Sequence, residues 1–318
     1  MRSPRWCRLA AGAFTARRVV ALRDTVTAQA TALAGDVAAL ARSGGEVDFM
    51  AEFAYPLPIR IICALLGVPV ADHEWIRERA EALTAVLEQV MTVAELADAD
   101  RASSELESYF TDLVEERRRE PRDDLTTALV RIHDSDGHDS DGSVLSRGEL
   151  LSNLVLLHVA GFETTTNLLG NGLVVLLCNP QWADRLRDDA SLAERYVSEL
   201  LRFDSPVQLT ARWSREEVEF AGVRLPAYTE ILLLLGADNR DGRHFRDPSR
   251  FDPYRDPGQP LSFGAGAHYC LGAALARLEA QVAFPLLLRR FPRLALVGEP
   301  LRRDRLTLRG YAGLPVRP

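Results

Sequence analysis

LSFGAGAHYCLGAALARLE, residues 261–279, holds one cysteine at the mouth of a helix, behind a permissive loop. Gly264, Ala265, Gly266 and Ala267 precede His268, and Cys270 follows two residues later. The run 271–290 reads as a helix that Pro285 should kink or shorten. A thiol just ahead of a helix meets unpaired N–H groups and the positive end of the helix dipole, which favour thiolate. The two glycines and two alanines let a flat, bulky object approach the backbone. Phe263 can pack against such an object, and His268 can reach an anion at its edge.

A lone cysteine after a glycine turn is more often buried and inert. Here the neighbouring residues suit a thiolate bound axially to haem iron. The other three cysteines, Cys7, Cys63 and Cys178, are too widely spaced for a zinc or disulfide framework. Low cysteine usage favours a reducing compartment, and the cytoplasm is expected. All 38 basic residues of the 318-residue chain are arginine, and the net charge of −7 argues against nucleic-acid binding. No signal peptide is read at the N-terminus. The segment 151–180 carries Glu163 as its only charge. Asn153, His158, Thr164, Thr165, Thr166, Asn167 and Asn171 interrupt it, so it is expected to run through a protein core and not a membrane.

The remaining pattern is mainly α with a minor β part. Residues 15–42 and 72–119 carry apolar residues at three and four spacing. EERRREPRDD (115–124) is a charged break. HDSDGHDSDGS (133–143) is a short duplication whose five-residue period fits a solvated loop better than a calcium loop. Ser146 with Glu149, and Ser191 with Glu194, read as capping boxes opening helices toward Cys178 and Phe203. VEFAGVRLPAYTEILLLL (218–235) reads as short strands joined by a turn at Pro226.

Phe263-x-x-Gly266-x-His268-x-Cys270-x-Gly272, followed by Ala276-Arg277, resembles the haem-binding signature of the cytochrome P-450 superfamily. Three further stretches fall in the family's order. Glu199-x-x-Arg202 and Pro248-Ser249-Arg250-Phe251 resemble a pair of motifs that place Glu199, Arg202 and Arg250 in a buried network bracing the cysteine loop. Ala160-Gly161-Phe162-Glu163-Thr164-Thr165 resembles the oxygen-activation segment, with small residues at 160 and 161 for close approach and a helix locally opened to hold water. Thr164 would hydrogen-bond activated oxygen and Glu163 would relay protons. Arg212 resembles a propionate-pairing arginine, with His268 the stronger partner. Leu156, Val159, Val207, Gln208 and Tyr311 are placed by position alone as substrate-facing.

The resemblance implies a single P-450-like domain over residues 1–318 and one haem b (iron protoporphyrin IX), with Cys270 as axial ligand and Gly264, Gly266 and Gly272 in its loop. It implies O2 as co-substrate and an organic, apolar small molecule as substrate. Electrons from NAD(P)H would arrive through a separate ferredoxin or flavoprotein, with no nucleic-acid or membrane partner. RWCRLAAGAFTARR (5–18) resembles the family's third helix, so an N-terminal part is expected to be missing. Alignment at Ala13-Phe14 then puts Ser3 and Cys7 where soluble members carry His and Arg toward a propionate. A truncated, impaired or non-catalytic relative is one alternative. A peroxide-dependent enzyme is another, against which the Glu163–Thr164 pair speaks.

Overall fold

A computed structural model describes residues 16–134, 145–256 and 258–318. Ser3, Cys7, Ala13-Phe14 and most of the 133–143 duplication lie outside the described residues.

The alanine-rich start forms α1 (Ala16–Ala21) and α2 (Arg23–Gly44). Val26, Ala30, Leu33 and Val37 recur at three or four residues and bury one stripe of α2. Helix α3 (Pro56–Leu66) opens on proline, whose missing N–H costs nothing in a first turn. The expected helical stretch 72–119 is two helices, α4 (His73–Thr84) and α5 (Val93–Arg119). The break arises because Thr92 and Glu95 cap the second helix reciprocally, with Glu95 N donating to Thr92 Oγ1 at 3.1 Å and Thr92 N to Glu95 Oε2 at 2.8 Å. After α6 (Leu125–Asp134) comes the long helix α7 (Arg147–Leu177), which starts at the expected Ser146–Glu149 capping box. From Thr165 to Leu173 every residue of α7 is buried. That explains why this stretch is nearly uncharged although no helix among the described residues is long and apolar enough to cross a membrane.

Helices α8 (Pro180–Asp188) and α9 (Ala193–Phe203) follow. The second expected capping box does not form. Ser191 sits in a short 3-10 turn, where its backbone N donates to Asp189 Oδ1 at 2.9 Å, so Asp189 makes the cap. The β part is small. Strand β1 (Val47–Asp48) later pairs with the chain end. Strands β2 (Thr210–Trp213), β3 (Val218–Phe220), β4 (Val223–Leu225) and β5 (Glu230–Leu233) come next. A turn at Ala221–Gly222, both at positive φ, joins β3 to β4, and the expected turn at Pro226 joins β4 to β5, with Tyr228 at positive φ. β5 instead pairs antiparallel with β2, Thr210 opposite Leu233. After the short α10 (Leu235–Asp238), helix α11 (Ala273–Arg290) runs unshortened through Pro285. Strands β6 (Ala295–Leu296), β7 (Leu301–Arg302), β8 (Tyr311–Gly313) and β9 (Pro315–Arg317) close the chain. β9 lies between β1 and β6, so the C-terminus locks onto residues 47–48.

One buried charge network ties these parts together. Arg202 holds Glu199 in two parallel bonds, Nε to Oε2 at 2.7 Å and Nη2 to Oε1 at 2.8 Å. Its remaining N–H groups donate to the carbonyls of Asn239, Pro248 and Arg250 at 2.8, 3.0 and 3.3 Å. The third charged member is Arg255, whose Nε donates to Glu199 Oε1 at 2.9 Å. Arg250 enters only through its carbonyl, which corrects the expected Glu199–Arg202–Arg250 side-chain triad. The proline-rich turn after Phe251 brings Arg255 inward, while the Arg250 side chain is exposed.

On α11, Glu279 is buried, and its Oε2 has no partner among the described residues. Burial drives its carboxyl well above the ordinary range, which favours the neutral form in the folded chain.

Two outcomes are expected. Glu199→Ala strands the buried Arg202 charge and lowers unfolding free energy by about 3–5 kcal/mol in urea titration. A loss under ~1 kcal/mol would contradict the network's weight. For Glu279, the folded state keeps a proton that the unfolded chain releases above about pH 4.5, so stability falls as pH rises through that window. Glu279→Gln is therefore expected to be more stable than the parent at pH 7.5 and close to it at pH 4. Equal differences at both values would rule out the neutral buried carboxyl.

Candidate functional site

The cysteine loop is built by its glycines and fixed by a buried serine. Gly264 and Gly266 have φ of 69° and 64°, which L side chains avoid. That curvature folds the loop back so that Cys270 N donates to Phe263 O at 2.9 Å. Ser262 Oγ donates to Leu201 O at 2.8 Å and accepts from Asn239 Nδ2 at 2.9 Å. Asn239 also bonds Ser205 Oγ at 2.8 Å and takes Leu261 N at 2.7 Å. The loop thus hangs from α9 through Ser205, Asn239 and Ser262, three residues that sequence reading missed. No local pattern marks them, because the bonds that tie them to one another and to the loop span 22 to 61 residues.

The stretch from Ala265 to Cys270 is exposed throughout. Beneath it, Arg277 of α11 lies 4.4 Å from the Phe263 ring centre and donates to Tyr269 Oη at 3.0 Å. Phe263 therefore packs on an arginine on one side. Protein packed around the Cys270 sulfur raises its thiol pKa, while the amides of Gly272 and Ala273, and Arg277, pull it down. The helix-start effect expected from sequence is present and is outweighed by lost water. A Cβ on Gly272 would meet only the Cys270 sulfur, at an ordinary 3.9 Å, and one on Gly266 would meet nothing.

The second part of the site lies on α7. Thr164 Oγ1 donates to Ala160 O at 3.1 Å, and the helix is continuous there, without the local opening expected. Gly161 does not face open space. A Cβ on it would strike Ile62 Cδ1 at 2.6 Å, so its smallness lets α3 pack against α7. Ala160 is exposed and lines a solvent-open cavity of about 510 Å³ together with Val159, Glu163, Thr164, Val207 and Leu308.

Glu163 is 1 % exposed and does not stand free. Arg303 Nη1 donates to its Oε1, which also accepts from Asn167 Nδ2 at 3.3 Å, and its Oε2 has no partner among the described residues. Burial raises the Glu163 pKa, and the Arg303 guanidinium opposes that rise. Arg303 is another residue the sequence reading missed; 140 residues of chain separate the pair.

The expected substrate-facing set divides. Val159 and Val207 line the cavity. Leu156, Gln208 and Tyr311 do not. Leu156 is 52 % exposed elsewhere on α7, Gln208 Nε2 is spent on Ser205 O at 2.6 Å, and Tyr311 is buried under Arg302 at 4.0 Å. Periodicity could not separate them, because one turn of α7 or one step along a strand changes the face.

The exposed loop offers one sulfur donor, backbone with little side-chain bulk, and an exposed imidazole on His268 with no bond among the described residues. Arg212, on β2, bonds only neutral oxygens, Thr210 Oγ1 at 3.2 Å and Ala211 O at 2.7 Å, and no carboxylate among the described residues. A single soft donor, open backbone and two side chains, His268 and Arg212, that meet no carboxylate among the described residues fit a planar, thiolate-ligated group with acidic edges, as haem is.

Comparison with known proteins agrees. Residues 89–305 match the cytochrome P-450 family. The chain is 41 % identical over 310 residues to 6-deoxyerythronolide B hydroxylase of Saccharopolyspora erythraea, covering 96 % of this chain and 72 % of the relative. It is 39 % identical over 313 residues to vitamin D(3) 25-hydroxylase of Pseudonocardia autotrophica, covering 97 % and 74 %. The crystal structure of CYP164A2 from Mycobacterium smegmatis with econazole bound superposes with a TM-score of 0.90 at 37 % identity, over 99 % of this chain and 78 % of that one. With its fold, its cysteine loop and these relatives in agreement, the chain belongs to the cytochrome P-450 family.

Proposed function

We propose that this P-450 inserts one atom of O2 into an apolar organic molecule held in the cavity beside Thr164, with Cys270 as the thiolate that would ligate the haem iron. The observation that carries the reading is the exposed Gly264–Cys270 loop, with its one sulfur donor and an uncharged, low-relief backbone. The family uses haem iron with O2 and draws electrons from NAD(P)H through a redox partner such as a ferredoxin. When bound, haem supplies the reduction and splitting of O2; two electrons and two protons enter, and the second oxygen atom leaves as water.

The chain's own residues do the rest. Phe263, Gly264 and Gly266 shape the surface on which the macrocycle rests. The amides of Gly272 and Ala273 hold negative charge on the Cys270 sulfur. His268 and Arg212 bind the carboxylate edges. Val159, Ala160 and Val207 give one side of the cavity an apolar wall against which a substrate would be oriented. Thr164 supplies a hydroxyl beside that wall, and Glu163 passes protons inward. Two relatives are named as hydroxylases, which supports insertion at a C–H bond. Residues 1–318 act as one P-450 unit in this reading.

The reduced, CO-treated protein is expected to show the red-shifted Soret band of a thiolate complex. Cys270→Ala should abolish it, and survival of the band in that variant would refute the assignment. Thr164→Ala should keep haem bound while product formed per NAD(P)H falls about tenfold and peroxide rises. Unchanged coupling of electrons to product would remove Thr164 from oxygen activation.

A further inference from the structure

The linker between α4 and α5 is held down by a carboxylate. From Val86 to Asp98 only Glu88 is buried, at 8 % exposed. Its apolar neighbours turn outward, with Val90 85 % and Val93 86 % exposed. That inverts the usual arrangement, in which apolar side chains fasten a segment and charges stay in water. The fastening is specific. Glu88 Oε2 accepts from Leu306 N at 2.9 Å and from Thr307 N at 2.8 Å, and Oε1 accepts from Leu308 N at 3.2 Å. Three successive main-chain amides therefore close on one carboxylate that lies 218 to 220 residues away in the chain.

The two sides of this clamp are two walls of the cavity beside Thr164. Val86, Leu87 and Gln89 line it from the linker, and Val207, Thr307 and Leu308 line it from across. The far wall is firm. Gln208 N donates to Thr307 O at 2.9 Å, Arg309 N donates to Pro206 O at 2.8 Å, and Val207 pairs with Leu308 as in a sheet. The near wall has weaker support. Beyond Glu88, its tie to the same segment is Arg305 Nη1 to Glu95 Oε1 at 3.3 Å, a partly exposed ion pair at the start of α5, of a kind that contributes little.

The plain alternative is that Glu88 satisfies three amides and does no more. Water at a solvent-open cavity can satisfy amides as well, so that role does not call for a carboxylate from another segment. A carboxylate with both oxygens engaged does something water cannot: it fixes the distance between two walls. We propose that Glu88 is a size-selecting residue of this cavity, pinning the α4–α5 linker to the amides of 306–308 and so setting the width through which a substrate enters. This rests on the reading of that cavity as the substrate's place. Glu88 is a positioning residue and touches no reacting atom. With the clamp closed, the cavity admits a slim apolar molecule; a bulky one has to break charge-assisted hydrogen bonds first.

The test uses the haem-loaded protein, with imidazole and econazole as probes. Both ligate haem iron through an azole nitrogen and shift its Soret band, and they differ in the bulk that has to pass the walls. Glu88→Gln keeps the side-chain volume but has one acceptor oxygen in place of two. It is expected to raise the association rate of econazole about tenfold and to leave that of imidazole within about twofold. Hydrogen exchange of the Leu306, Thr307 and Leu308 amides should speed up about tenfold in the same variant. A purely structural role would speed the exchange and leave the ratio of the two rates unmoved. An unmoved ratio, or amides that exchange no faster, would overturn the proposal. Glu88→Asp keeps the charge on a shorter stem and should show the same changes in smaller measure; it decides if the Gln variant does not fold. Ala160→Phe, which fills the cavity from α7, is expected to slow econazole. Unchanged econazole binding in that variant would instead overturn the cavity as the ligand's place, so the two failures are distinct.

Discussion

The bidentate pair between Glu199 and Arg202 is the contact on which the site depends. It is formed inside one turn of α9, and its leftover donors and acceptors reach four residues in two other segments. Arg202 takes three carbonyls ahead of the proline-rich turn, and Glu199 takes Arg255 and the Asp252 amide. Such a pair is costly to bury, and the cost is offset only where the buried polar groups are partnered. Here all five N–H groups of Arg202 donate and both carboxylate oxygens of Glu199 accept. The loop that follows has little secondary structure of its own, so this network substitutes for a helix or sheet in fixing the entry to residues 261–270.

From that anchor the cysteine loop is positioned by a neutral chain of bonds. Asn239, which gives a carbonyl to Arg202, turns its side chain to Ser205, Ser262 and Leu261 N. The charged brace and the loop are therefore adjacent layers of one bonded system. Across the molecule the long helix α7 offers the opposite design, a buried segment with isolated polar groups. His158, in its first half, makes no well-formed hydrogen bond from either ring nitrogen among the described residues and is pushed down to about 4 by burial, so it is neutral and serves as an aromatic filler between Phe110 and Phe162. Glu163 differs from it in having a cation from another segment. The contrast shows how one apolar helix can carry both inert and poised polar groups.

Much of this was readable in the residues. The cysteine motif, the Ser146–Glu149 cap and the core character of 151–180 are local patterns, each set by neighbours a few positions apart. The second cap failed because Asp189, two residues earlier than Ser191, competes for the same amide. The third network arginine was misassigned for a different reason. Arg250 and Arg255 lie five apart in an irregular segment, where no periodicity says which side chain turns inward. Of the five residues placed as substrate-facing, Val159 and Val207 line the cavity and three do not, because position along a helix or strand does not fix which face meets it.

The sequence by itself determined the family, the mainly α architecture with small sheets and the cysteine motif. Those follow from spacing within short windows, where covalent geometry limits the outcomes. Only the tertiary structure decided that Arg255 completes the brace, that Gly161 serves helix packing against Ile62, and that Arg303 sits on Glu163. In each case the deciding atom comes from a segment distant in sequence or from an irregular loop. Burial then leaves a charged or bulky group with only the partner that the fold brings near.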